Sequence, residues 1–159
     1  MSFFHRGRVR RTRKGLYRLD IPEAERAVLR RLLPQLRSVL NDEDPADDRA
    51  RRLFPPAYTD DEDANAEYQR LMREDLVASR LAALDTVEES LDASELTEEQ
   101  LVAWMNAVNS VRLVLGTLLD VSEELDIGRM PDETPDVESY ALYAYLSNLL
   151  GDMVDALNP

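Results

Sequence analysis

The 159-residue chain has no cysteine, one histidine, five glycines and one lysine. Without thiols there is no disulfide, no zinc–thiolate site and no cysteine nucleophile. A lone His5 excludes His-rich metal centres and leaves any Ser–His–Asp triad dependent on that residue. The scattered glycines, Gly7, Gly15, Gly116, Gly128 and Gly151, form neither a GxGxxG nor a GxxxxGK[ST] phosphate cradle. No apolar run approaches the roughly 18–20 residues of a membrane span. The first residues carry arginines but no apolar stretch before a cleavage site, so no secretory signal is expected. The expectation is a cytoplasmic protein that does not touch membrane, with no metal or other cofactor.

Acid outweighs base, 32 Asp+Glu against 19 Lys+Arg, for a net charge of −13. The imbalance is uneven. Residues 1–20 hold seven basic side chains against Asp20, a net +6, so the other 139 residues carry −19. A cationic arm on an anionic body points to interaction surfaces rather than to fold. At 44% hydrophobic residues the chain can build a core, and its length suits one domain over 1–159. That domain divides into a basic β-hairpin (1–21) and an acidic helical bundle (22–159).

Two alternating stretches predict the hairpin: Phe3 to Arg10, and Leu16 to Ile21 with Tyr17, Leu19 and Ile21 on the apolar side. Between them, Arg11-Thr-Arg-Lys-Gly15 is a polar loop ending in a residue that tolerates positive φ. Its apolar face should lean on the body while its arginines face water, because two strands alone are marginal.

Beyond the hairpin the periods are helical. Pro22-Glu-Ala-Glu25 opens a helix with the stripe Leu29, Leu32, Leu33, Leu36 and Leu40, which Pro34 should kink or split. An acidic loop from Asn41 to Asp48 precedes a short helix near Pro45–Arg52 and an extended connector, Phe54–Tyr58. A long helix from Thr59 or Asp60 to about Leu91 turns Tyr68, Leu71, Met72, Leu76, Leu84, Val87 and Leu91 inward. Thr97-Glu-Glu-Gln100 is a capping box, with Leu96 and Leu101 placed as its hydrophobic staple. That helix carries Trp104, Met105, Val108, Val111, Leu115 and Leu118. A turn at Ser122–Asp126 and a loop at Gly128–Pro135 lead to a last helix, about Asp136 to Leu157. The fold class is mainly α, an antiparallel helical bundle with a small N-terminal β-hairpin.

No catalytic constellation converges, so an enzyme is not expected. Carboxylate pairs such as Asp60/Asp61 follow from having 32 acids. Asn109 and Arg112, one turn apart beside an apolar stripe, read either as a recognition site or as a structural polar core. In the structural reading Arg112 pairs with a carboxylate such as Asp61 or Glu67, and Gly116 lets a neighbour approach closely. The candidate contact surface is Arg6, Arg8, Arg10, Arg11, Arg13, Lys14 and Arg18, interleaved with Phe3, Phe4 and Tyr17. Three readings stand: docking on an acidic protein surface, including a second copy of the chain; phosphate and base contacts on nucleic acid, which the acidic body opposes; and a solvated strand edge whose charge prevents unwanted pairing.

The segment Trp104-Met-Asn-Ala-Val-Asn-Ser-Val-Arg-Leu-Val-Leu-Gly-Thr-Leu-Leu119 resembles the signature of an actinobacterial family. It was catalogued as a domain of unknown function and is now named for the actinomycete oxidative stress regulator. Arg52-Leu-Phe-Pro-Pro-Ala-Tyr58 with Asp60-Asp61, the helix Tyr140-x-x-Tyr143-x-x-Leu146 and the Gly15-x-x-x-Leu19 hairpin match as well. The resemblance implies an intracellular regulator of transcription linked to redox stress, acting by contact with a sigma factor or RNA polymerase and touching DNA at most weakly. A general adaptor with no promoter role is the alternative. Redox-sensing members carry a Cys-x-x-x-Cys pair in the first strand; the equivalent positions here are His5 and Val9, so a thiol switch does not carry over.

Overall fold

The computed structural model describes residues 7–41, 62–118 and 137–158. The elements run β1 (Val9–Arg11), β2 (Tyr17–Leu19), α1 (Glu23–Asn41), α2 (Glu62–Ser90), β3 (Glu95–Leu96), α3 (Glu98–Leu118) and α4 (Val137–Leu157). The fold is mainly α, four helices with a small antiparallel sheet. His5, Arg6, the segment 42–61 with its expected short helix and connector, and the segment 119–136 lie outside the described residues.

The hairpin pairs Val9 with Leu19, Arg10 with Arg18 and Arg11 with Tyr17. At its turn the Thr12 N–H donates to the Leu16 carbonyl at 2.7 Å, the Leu16 N–H to Thr12 Oγ1 at 3.2 Å, and Gly15 adopts φ +80°. Such a φ suits a residue without Cβ. A third strand, β3, pairs with β2 (Tyr17 with Leu96, Arg18 with Glu95), which places β2 in the middle of the sheet. Sequence alternation could not reveal β3, because two residues show no period.

Val9, Tyr17, Leu19 and Leu96 point into one core with Leu29, Leu33 and Leu36 of α1, Leu84 and Val87 of α2, Leu101, Trp104 and Val108 of α3, and Leu146, Leu149 and Met153 of α4. The central helix is α3, which packs against each of the other three. It begins as its capping box requires: the Thr97 N–H donates to Gln100 Oε1 at 2.9 Å and the Gln100 N–H to Thr97 Oγ1 at 3.1 Å. Leu96 and Leu101, its staple, are both buried. Trp104 is fully buried, and its indole N–H donates to Ser90 Oγ at 2.8 Å.

Two local expectations are corrected. Pro34 does not split α1, which continues to Asn41. Pro34 sits on the exposed side, where a backbone carbonyl that loses its partner can turn to water. The stripe Leu29, Leu33, Leu36, Val39 and Leu40 holds the opposite side in the core. On α2, Leu84, Val87 and Leu91 are buried as the spacing predicts, but Tyr68 (53%), Leu71 (52%) and Met72 (38%) are exposed. A 3.6-residue period says which side chains share a face. It does not say that a partner lies against that face.

Candidate interaction surface

The basic arm divides into three environments. Arg8 turns inward, against the expectation that the arginines face water. Its Nε donates to Glu25 Oε1 of α1 at 2.7 Å, and its guanidinium lies 5.2 Å from the centroid of the Tyr145 ring of α4. Its backbone N–H donates to Asp152 Oδ2 at 3.1 Å. Arg8 therefore straps β1 to two helices. Burial, with Glu25 adding to it, pushes the Tyr145 hydroxyl well above its ordinary pKa. The phenol stays neutral over any working pH.

Arg10 and Arg18, opposite each other in the ladder, share one carboxylate. Arg10 donates to Asp20 Oδ2 at 2.9 Å through a terminal guanidinium nitrogen, and Arg18 Nε to Asp20 Oδ1 at 3.2 Å. Like charges directly opposite are unfavourable, and Asp20 between them offsets the repulsion. Burial pushes the Asp20 carboxyl upward, but the hydrogen bonds and charges of the two arginines outweigh it and hold the pKa below its usual value.

Arg11, Arg13 and Lys14 are different. All three are exposed and have no ion-pair partner among the described residues. They occupy a tip fixed by the turn hydrogen bonds of Thr12, above a hairpin base whose Val9, Tyr17 and Leu19 are at most 5% exposed. Arg6 lies outside the described residues.

A residue the sequence did not single out anchors this arrangement. Arg26, on the first turns of α1, is buried and donates to three main-chain carbonyls: Ile21 at 2.9 Å, Leu19 at 3.1 Å, and Leu91 after α2. One planar guanidinium thus ties the end of β2 to the end of α2. Arginine is rarely buried, so its place in the amphipathic pattern of α1 gave no signal of this role.

The polar group on α3 uses no residue of the arm among its hydrogen-bond partners. Arg112 donates to Asn109 Oδ1 at 3.0 Å and to the Tyr143 hydroxyl of α4 at 3.1 Å, with its guanidinium 5.7 Å from the Tyr143 ring centroid. In place of the expected carboxylate, its partners among the described residues are an amide and a phenol. Glu67 is exposed on α2, and Asp61 lies outside the described residues. Gly116 is buried on α3. Among the described residues no cluster of three or more His, Asp or Glu could hold a metal, and no helix is long and apolar enough to cross a membrane.

Comparison with known proteins decides the family. The model described as "Domain of unknown function (DUF2017)" matches residues 5–157. The chain belongs to the DUF2017 family. Two relatives named oxidative stress regulator AosR, from Mycobacterium bovis and Mycobacterium tuberculosis, are 34% identical over 122 residues, 66% of this chain and 56% of theirs. A Mycobacterium leprae protein that also carries the AosR name is 36% identical over 134 residues, 74% of this chain and 61% of its own. This DUF2017 chain therefore spans about three-fifths of the length of the curated relatives it matches. No solved structure matches it.

Proposed function

We propose that the protein is a non-enzymatic cytoplasmic regulator in the oxidative stress response, acting by contact with another protein. The contact surface is the cationic hairpin tip, Arg11, Arg13 and Lys14. The partner is an acidic surface of the transcription machinery, on a sigma factor or RNA polymerase. The names of the relatives support the regulatory reading. The observation that carries the contact reading is the contrast within the arm: Arg8, Arg10 and Arg18 have their own acids, while the three tip cations have none among the described residues. The turn that carries these cations is already fixed, so docking orders little further backbone, and exposed charge there can steer and orient a partner of opposite sign. The acidic body disfavours DNA, which leaves DNA contact the weaker reading. With no cysteine in the chain, its response to oxidants does not run through a disulfide of its own.

The test is charge reversal, R11E/R13E/K14E, assayed against purified sigma factors and RNA polymerase. Loss of binding with helicity and melting temperature unchanged supports the reading. Undiminished binding removes the tip from the account. Binding to neither, with capture of a partner unrelated to promoters, favours a general adaptor. A DNA titration that does not respond to salt removes the nucleic-acid reading.

A further inference from the structure

Arg8 and Arg37, both partly buried, are met by carboxylates, and the buried Arg26 is met by three main-chain carbonyls. Arg112 is also partly buried, yet its partners among the described residues are neutral. Asn109 Oδ1 accepts from Nε at 3.3 Å and from Nη2 at 3.0 Å, and the Tyr143 hydroxyl accepts from Nη1 at 3.1 Å. No carboxylate of the described residues forms an ion pair with it. The acid that its sequence context calls for is not supplied from within.

The hydrogen-bonding capacity that remains has one sign. A guanidinium carries five N–H groups. Three of those on Arg112 are engaged, which leaves one on Nη1 and one on Nη2. Asn109 Oδ1 has both lone pairs occupied by the same guanidinium. The Tyr143 oxygen accepts from Arg112, and its own proton has no acceptor among the described residues. Donors are therefore what is left around the positive charge. They are held in place from two helices, since Asn109 and Arg112 lie one turn apart on α3 and the Tyr143 ring of α4 faces the guanidinium at 5.7 Å. A fixed cation with converging, uncommitted donors is complementary to an anion.

We propose that Arg112 and Tyr143, with Asn109 holding the guanidinium in position, form a binding site for a carboxylate. One carboxylate oxygen accepts from the remaining Nη1 and Nη2 N–H groups, and the other accepts from the Tyr143 hydroxyl. A carboxylate brings the single negative charge that one arginine matches. Phosphate brings more charge towards a body that carries −19 beyond residue 20, and it leaves oxygens without donors. A carboxamide of the same shape turns a donor of its own towards donors. The site shares no residue with the hairpin tip, so its failure does not bear on the function proposed above.

The probe is acetate, titrated into the full chain and followed by amide and guanidinium NMR signals, with sodium chloride as the ionic-strength control. N-acetylglutamic acid α-amide, titrated in parallel, presents the same group on a protein side chain. The tighter of the two identifies the source of the carboxylate. So small a probe binds on the order of millimolar or weaker. The expected result is saturable shifts at Asn109, Arg112 and Tyr143 with both probes, and weaker binding of inorganic phosphate. Arg112→Gln should abolish saturation. Tyr143→Phe, which keeps the ring and removes one donor, should weaken binding about tenfold, as for one hydrogen bond to a charged group. The second variant decides the matter if the first does not fold. Shifts no larger than those from sodium chloride, phosphate binding as tightly as acetate, or undiminished affinity in Tyr143→Phe would each overturn the proposal.

Discussion

The base and the tip of the hairpin are separated by only a few residues, yet they differ in almost every physical respect. At the base, side chains are buried and charges are matched. Val9, Tyr17 and Leu19 enter the core, Arg8 reaches Glu25, and Arg26 collects carbonyls from both β2 and α2. At the tip, Arg11, Arg13 and Lys14 stand in solvent without matching acids among the described residues. The base therefore converts its residues into stability, and in the function proposed above the tip keeps its cations for an outside partner. Arg10 and Arg18 stand between the two, exposed but held by Asp20.

The largest effect that would sharpen this contrast is at the base. Leu19→Ala should cost about 2–5 kcal/mol in urea unfolding, the range for truncating a buried leucine. Arg26→Met should cost about 2–3 kcal/mol, because three main-chain carbonyls lose their donor together. A loss near zero would show that water replaces the guanidinium and would break the claim that Arg26 is an anchor. Arg8→Ala should cost about 1 kcal/mol, a partly buried pair being worth more than an exposed one.

Asp20→Asn should cost less, below about 0.5 kcal/mol, since the carboxylate and both arginines are well exposed. Its pH dependence has a definite sign. A carboxyl whose folded pKa is lowered stabilises above its unfolded value, about 3.9, and this contribution fades as pH falls through the lowered folded value. The stability difference between wild type and Asp20→Asn should thus be constant near neutrality and vanish in strong acid. The same variant releases Arg10 and Arg18, so binding of an acidic partner should strengthen rather than weaken. Charge reversal at the tip should change stability least of all, within about 0.5 kcal/mol.

Much of this frame is legible in the sequence because the signals are local. Alternation from Leu16 to Ile21, a glycine at the turn and a polar loop between strands specify the hairpin, and Thr97 with Gln100 fixes the start of α3. What escapes is tertiary. Strand β3 is too short for a pattern, and Arg26 has the composition of a surface residue. Tyr68, Leu71 and Met72 have the spacing of a core stripe without a covering element among the described residues. For the arm, sequence counts charges but cannot pair them. Only the fold shows that Arg8 turns inward, that Asp20 serves two arginines and that the tip is left over. Asn109 and Arg112 were legible as a pair, whereas the Tyr143 hydroxyl that completes their group comes from a helix more than thirty residues away.

The most direct measurement is a paired one on R11E/R13E/K14E: affinity for purified RNA polymerase with its sigma factor, and unfolding free energy of the free chain. The account predicts at least a tenfold loss of affinity with unfolding free energy preserved. Wild-type affinity in that variant, or a loss of binding matched by a loss of stability, would contradict it.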